Sequence, residues 1–141
     1  MTTHKTPETA PVDAVTFKSL GISEKVLAVL DKNGFITPTP IQGKVIPFGI
    51  QGKDIIGIAQ TGTGKTLGFG IPMIERLLAN PNGRGLVILP TRELALQVDE
   101  TIRKIGYALG IRSAVLIGGD SMSRQVRELR AGPNIVIATP G

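Results

Sequence analysis

Lys65 and Thr66 close a run of small residues, AQTGTGKT (Ala59–Thr66), in which threonine and glycine alternate before the lysine. Gly62 and Gly64 lack a Cβ, so their backbone N–H groups can turn inward and approach phosphate oxygens without a clash. Thr61 and Thr63 add two further amides to the same turn. Lys65 brings a point charge for the outer phosphates, and Thr66 brings a hydroxyl for Mg²⁺. The strict P-loop pattern has a glycine where this chain has Ala59, and alanine serves there when its φ is negative. On this reading the loop holds a nucleoside triphosphate with Mg²⁺, and Lys65 and Thr66 are the catalytic candidates. A chance Gly-Lys-Thr in a solvent-facing loop is the competing reading, and the flanking elements decide between them.

The loop follows DIIGIA (Asp54–Ala59), and three later stretches share its character: GLVILP (Gly85–Pro90), SAVLIGG (Ser113–Gly119) and NIVIATP (Asn134–Pro140). Each is short, β-branched and almost continuously apolar, the pattern of strands buried on both faces of a parallel sheet. Helical spacing fills the intervals. One helix is expected over Gly64–Asn80. A second starts near Thr91 and puts Leu94, Val98, Ile102 and Ile105 on one face. A third begins at Asp120 or Ser121 and ends before Gly132. Two more are expected upstream, over Ser23–Asn33 and Pro40–Ile50, with Thr39 as cap, Pro40 in the first turn and Pro47 interrupting or kinking the second. Alternating strands and helices predict an α/β sandwich. A glycine loop between a buried strand and a helix start is the P-loop setting, because the helix aims its free N–H groups and positive dipole end at the same anion.

The chain has 141 residues, 41% of them hydrophobic and 19% charged, which suits one globular domain or part of one. It has no Trp, four Phe and one Tyr, so the core must come from Ile, Leu and Val. The absence of Cys excludes disulfides, thiolate zinc sites and a cysteine nucleophile in these residues, and it suits a reducing, cytoplasmic setting. No apolar run is long enough to span a bilayer, and residues 1–14 are expected to form a flexible polar leader without a secretion signal. A net charge of +5 favours a polyanionic partner, nucleic acid above all, over a membrane.

Five short motifs then occur in a fixed order. GFITPTPIQ (Gly34–Gln42), with Phe17 isolated upstream, resembles the Q motif of the DEAD-box RNA helicases, here spanning residues 15–43. AQTGTGKT is that family's usual P-loop (59–66), alanine included. PTRELALQ (90–97) resembles motif Ia, Gly118-Gly119 its glycine doublet, and Thr139-Pro140-Gly141 its motif Ib. The resemblance covers residues 15–141 and implies a RecA-like P-loop NTPase sandwich, a parallel sheet flanked by helices. It implies ATP and Mg²⁺ as cofactors and RNA as partner, bound through backbone and 2′-hydroxyls with little sequence preference. ATP binding would close two RecA-like domains over one strand and separate a short duplex locally, and hydrolysis would reset the clamp.

The resemblance assigns roles residue by residue. Gln42 is implied to read adenine, since its carboxamide both donates and accepts. Phe17 is a candidate stacking partner for the purine. Phe35 either stacks likewise or packs in the core, and the plainer reading of Thr39 is a helix cap. Pro90, Thr91 and Arg92 are expected at RNA phosphates, although Arg92 could equally pair with Glu93 or Asp99. Gly118 and Gly119 either admit an RNA backbone or form a plain turn. Thr139 and Gly141 are implied to hold a phosphate. Arg124, Arg127 and Arg130 form a solvated face or a secondary nucleic-acid contact.

The family's Asp-Glu-Ala-Asp and Ser-Ala-Thr segments and its second RecA-like domain do not occur in these 141 residues. The chain is therefore read as the N-terminal portion of the first RecA-like domain, incomplete, and is not expected to hydrolyse ATP appreciably alone. The strand at Asp54–Ala59 is expected to want partners, leaving the isolated chain unstable or prone to aggregate. Two other readings stand beside this one: a different P-loop enzyme, such as a related DNA helicase or a nucleotide kinase, and a non-catalytic RNA-binding module. The Phe17–Gln42 pair argues against the first. ATP-independent RNA binding would favour the second.

Overall fold

A computed structural model describes residues 15–62 and 64–141; the leader (1–14) and Thr63 lie outside the described residues. Three strands, β1 (Gly85–Ile88), β2 (Ser113–Leu116) and β3 (Ile135–Ala138), form a parallel sheet in the order β1-β3-β2. Five helices accompany them: α1 (Glu24–Lys32), α2 (Pro40–Ile50), α3 (Lys65–Ala79), α4 (Arg92–Gly106) and α5 (Met122–Arg130). The alternation of strand and helix after residue 64 is the one expected from the hydrophobic periodicity.

Register explains which face of the sheet is the core. Val87 and Val115 both align with Ile137, so the three side chains share a face, and Ile135 lies on it two residues earlier. Helix α4 covers this face, packing on β2 and β3 with Val98, Ile102 and Ile105 buried. Leu94, expected on the same stripe, is partly exposed instead, in the first turn of α4 where it lines two cavities. Helix α3 lies against α4, and α2 against α3, adding Ile46, Ile71 and Ile74 to the buried core.

The helix starts follow local chemistry. Thr39 and Gln42 form a reciprocal capping box on α2, with Pro40 in its first turn. Thr91 caps α4 by accepting from the Leu94 amide at 3.2 Å, and Ser121, rather than Asp120, caps α5. Pro47 neither interrupts nor ends α2, which continues to Ile50. Its neighbour Ile46 is wholly buried, and that packing holds the last turn in place despite the lost backbone bond.

One strand expectation is corrected. Asp54–Ala59 joins no strand among the described residues, and Ile56 and Ile58 are 92% and 91% exposed. The sequence there suits a central strand, but a strand exists only where another supplies its ladder. Sheet burial is also one-sided at β1, where Leu86 and Ile88 point away from α4 and are 64% and 57% exposed.

Candidate nucleotide and nucleic-acid site

Two groups of side chains gather near the chain's glycine-rich turns. The first surrounds a cavity of about 670 Å³. Phe17, Phe35, Thr39, Gln42, Thr61, Gly62, Gly64, Lys65 and Thr66 all line it, so every described residue singled out for nucleotide binding meets there; Thr63 lies outside the described residues. Phe17 is buried in the short 3₁₀ turn Phe17–Leu20, and Phe35 packs against the core from a half-buried position. Each therefore belongs to the core and to the cavity wall at once.

Gln42 is the hinge between the two halves of this wall. It is 3% exposed. Its Oε1 accepts from the Thr39 amide at 2.9 Å, and its Nε2 donates to the Gly64 carbonyl at 3.0 Å. A carboxamide has two N–H donors and two oxygen lone pairs, so one of each remains for a ligand. Gly64 holds φ at +83°, and Gly62 at +82°. Helix α3 starts directly after Gly64, so its first unpaired amides face the turn. Lys65 donates from Nζ to the Ala59 carbonyl at 2.7 Å, which folds its charge back over the loop.

The described geometry suits a nucleoside polyphosphate. The glycine turn leaves its backbone open at Gly62, where an added Cβ would meet nothing within 4 Å, and the helix start and Lys65 supply positive potential. Thr66 would have one hydroxyl for a Mg²⁺ that accompanied such a ligand, an ion that takes few protein ligands and otherwise binds water and phosphate oxygens. No cluster of three or more His, Cys, Asp or Glu suited to hold a metal occurs among the described residues. A nucleoside triphosphate in this cavity would bring the transferable phosphoryl group, and these side chains and amides are placed to hold and orient it.

Gln97, Thr101 and Lys104 also line the cavity and were not foreseen. They repeat at helical spacing on α4, beside the apolar stripe of Val98, Ile102 and Ile105. That spacing is the signal that could have found them, but it needs the knowledge of which flank of α4 meets α3.

The second group lies at the carboxyl ends of the strands. Pro90, Thr91 and Arg92 follow β1, Gly118 and Gly119 follow β2, and Thr139 and Gly141 follow β3. Parallel strands bring these turns to one edge of the sheet, the usual place for ligands in open α/β folds. Two bonds tie the turns together: the Leu89 amide donates to the Ala138 carbonyl at 2.9 Å, and the Thr139 amide to the Leu116 carbonyl at 3.1 Å. Gly119 holds φ at +77°, and a Cβ there would lie 2.9 Å from Arg92 Nη1, so motif Ia and the glycine doublet are in contact. Arg92 forms no ion pair among the described residues. Asp99, one partner considered for it, is engaged by Arg103 Nε at 2.8 Å and by the Ser113 hydroxyl at 2.5 Å. Arg124 is paired with Asp120 and Glu128, so of the three arginines on α5 it is the one already committed within the fold.

A family model described as DEAD/DEAH box helicase matches residues 39–141. The chain belongs to the DEAD/DEAH box helicase family. Among its relatives in this family, the DEAD-box ATP-dependent RNA helicase CshA of Geobacillus kaustophilus is 46% identical over 127 residues, which are 89% of this chain and 27% of that protein. The ATP-dependent RNA helicase CshA of Listeria monocytogenes is 48% identical over 126 residues, 89% of this chain and 24% of that protein. The chain thus spans about a quarter of the length of the curated relatives it matches. Among solved structures, the RNA helicase Prp28 of Chaetomium thermophilum bound to ADP superposes with a TM-score of 0.80 at 36% identity, covering 89% of this chain and 32% of that one. A hypothetical ATP-dependent RNA helicase of Sulfolobus tokodaii gives 0.77 at 38% identity, covering 85% and 34%. The DEAD/DEAH box fold of this chain is a RecA-like α/β sandwich, incomplete, with three parallel strands flanked by helices. Among the described residues no helix is long and apolar enough to cross a membrane.

Proposed function

We infer that residues 15–141 form the ATP- and RNA-binding portion of the first RecA-like domain of an ATP-dependent RNA helicase, preceded by a leader over 1–14. The observation that carries this reading is the bond from Gln42 Nε2 to the Gly64 carbonyl. It joins the residue proposed to read the purine to the loop proposed to hold the phosphates. The spare N–H of Gln42 suits adenine N7, and the spare lone pair of Oε1 suits the adenine amino group. Guanine offers an acceptor where adenine has that amino group, so it would set two acceptors together. Phe17 and Phe35 supply apolar wall for the base. The amides of Thr61–Thr66 and the Lys65 ammonium hold phosphate oxygens, and Thr66 binds Mg²⁺.

At the strand ends, Arg92 and the backbone of Pro90–Thr91, Gly118–Gly119 and Thr139–Gly141 hold RNA phosphates. Backbone contact of this kind gives little sequence preference and leaves the 2′-hydroxyl to tell RNA from DNA. Hydrolysis and duplex separation belong to the complete protein, where carboxylates for Mg²⁺ and the attacking water, and a second RecA-like domain, act with this one. A cytoplasmic setting fits the absence of Cys.

The deciding experiment compares ATP and GTP binding by the full-length parent protein and its Gln42→Ala variant. Wild-type protein is expected to prefer ATP, and the variant to lose that preference together with part of its affinity. Unchanged selectivity in the variant would rule out the purine-reading role and reopen the case for another kind of P-loop enzyme.

A further inference from the structure

Gln125 sits on the nucleic-acid side of the molecule although none of the motifs contains it. It is the buried residue of α5, 7% exposed, on a helix whose other side chains are partly or largely open to solvent. Its Nε2 donates to the Ile117 carbonyl at 2.9 Å. That carbonyl lies one residue past the end of β2 and directly before Gly118. The carbonyl before it, on Leu116, accepts from the Thr139 amide. Both carbonyls leading into the glycine doublet are therefore held, one by the chain leaving β3 and the other by Gln125. Beyond the doublet, Asp120 Oδ1 accepts from the Ser121 amide at 2.7 Å, and Asp120 also pairs with Arg124. The turn is fixed at both ends, with Gly119 in the left-handed region beside the Arg92 guanidinium.

We propose that Gln125 is a positioning residue for RNA binding: its carboxamide sets the direction in which the chain leaves β2, and so presents the Gly118 and Gly119 amides to the same phosphate as Arg92. The proposal rests on reading the strand-end cluster as the RNA site. Glutamine suits the task because a neutral donor satisfies a buried carbonyl without burying a charge. Methionine would fill the same space yet leave the Ile117 oxygen unpaired and the turn free to shift.

The test uses the full-length protein with Gln125→Met, Arg92→Ala and the double variant. Gln125→Met is expected to weaken binding of a short single-stranded RNA about tenfold. Affinity for a non-hydrolysable ATP analogue, measured without RNA, should stay within about twofold, which also reports that the domain has folded. The double variant should bind RNA little worse than Arg92→Ala alone, because both act at one phosphate. Wild-type RNA affinity in Gln125→Met beside a loss in Arg92→Ala would overturn the positioning role and leave the RNA site standing. Wild-type RNA affinity in Arg92→Ala would instead remove the RNA reading of the cluster, and the proposal with it. Parallel losses of RNA and nucleotide affinity, or additive effects of the two substitutions, would mark a general packing role and reject the proposal.

Discussion

An added Cβ on Gly64 would sit 2.3 Å from Gln42 Nε2 and 3.2 Å from the Thr39 methyl group, on a residue whose φ is +83°. Gly62 has nearly the same φ, but open space around it. The pair separates backbone strain from collision. Gly62→Ala is expected to cost about 1–2 kcal/mol, the left-handed penalty alone. Gly64→Ala should cost more and should also break the bond between Gln42 and the loop. Thermal melts and nucleotide titrations of the full-length protein should rank Gly64→Ala well below Gly62→Ala in both stability and affinity. Lys65→Ala removes the one side-chain cation of the loop and is expected to weaken triphosphate binding by tenfold or more, measured by titration, with little change in melting. The glycine turn and the helix that starts at Lys65 could be read from residue type and spacing because both are local. The hydrogen bond from Gln42 to Gly64 could not, because it links residues on two different elements through their packing.

Helix α4 shows what the same reasoning achieves for a whole element. Its start at Thr91 and its buried stripe follow from a cap and a 3.6-residue period. Its buried acid does not. Asp99 looks like a surface carboxylate in sequence, yet it accepts from the Ser113 hydroxyl on β2 and pairs with Arg103 one turn along its own helix. Ser113→Ala should therefore loosen α4 from the sheet and lower stability by about 1–3 kcal/mol, while leaving the cavity beside Gln42 formed. Chemical denaturation would read the first effect and nucleotide affinity the second. Thr91→Ala removes the cap of α4, an expected loss of about 1 kcal/mol, and Thr91→Ser should restore it. Asp54–Ala59 is the opposite case, an element legible by composition whose pairing depends on residues other than its own.

At the scale of the whole molecule, several large apolar side chains remain open to solvent among the described residues. Ile56, Ile58, Leu86 and Ile88 are all largely exposed, β1 has an edge without a partner among the described residues, and an apolar cavity of about 560 Å³ opens between α2, α3 and residues 53–57. An open strand edge beside exposed β-branched side chains templates self-association. The 141-residue chain by itself is accordingly expected to form oligomers by light scattering and to melt without a sharp transition. A monomer with a cooperative calorimetric melt would contradict this. Replacing Ile56 and Ile58 with lysine should reduce the association.

The alternation of strands and helices after residue 64, the helix caps, the glycine loop and the family's motifs were all legible in the sequence itself, because each depends on neighbours within a turn or two of chain. Tertiary structure alone decided that Gln42 grips Gly64, that Gly119 lies under Arg92, that Gln125 is buried against Ile117, and that Asp54–Ala59 stays unpaired. Those facts depend on which surfaces meet after the chain has folded back on itself, and a hydrogen bond or a strand ladder exists only when both of its partners are in place.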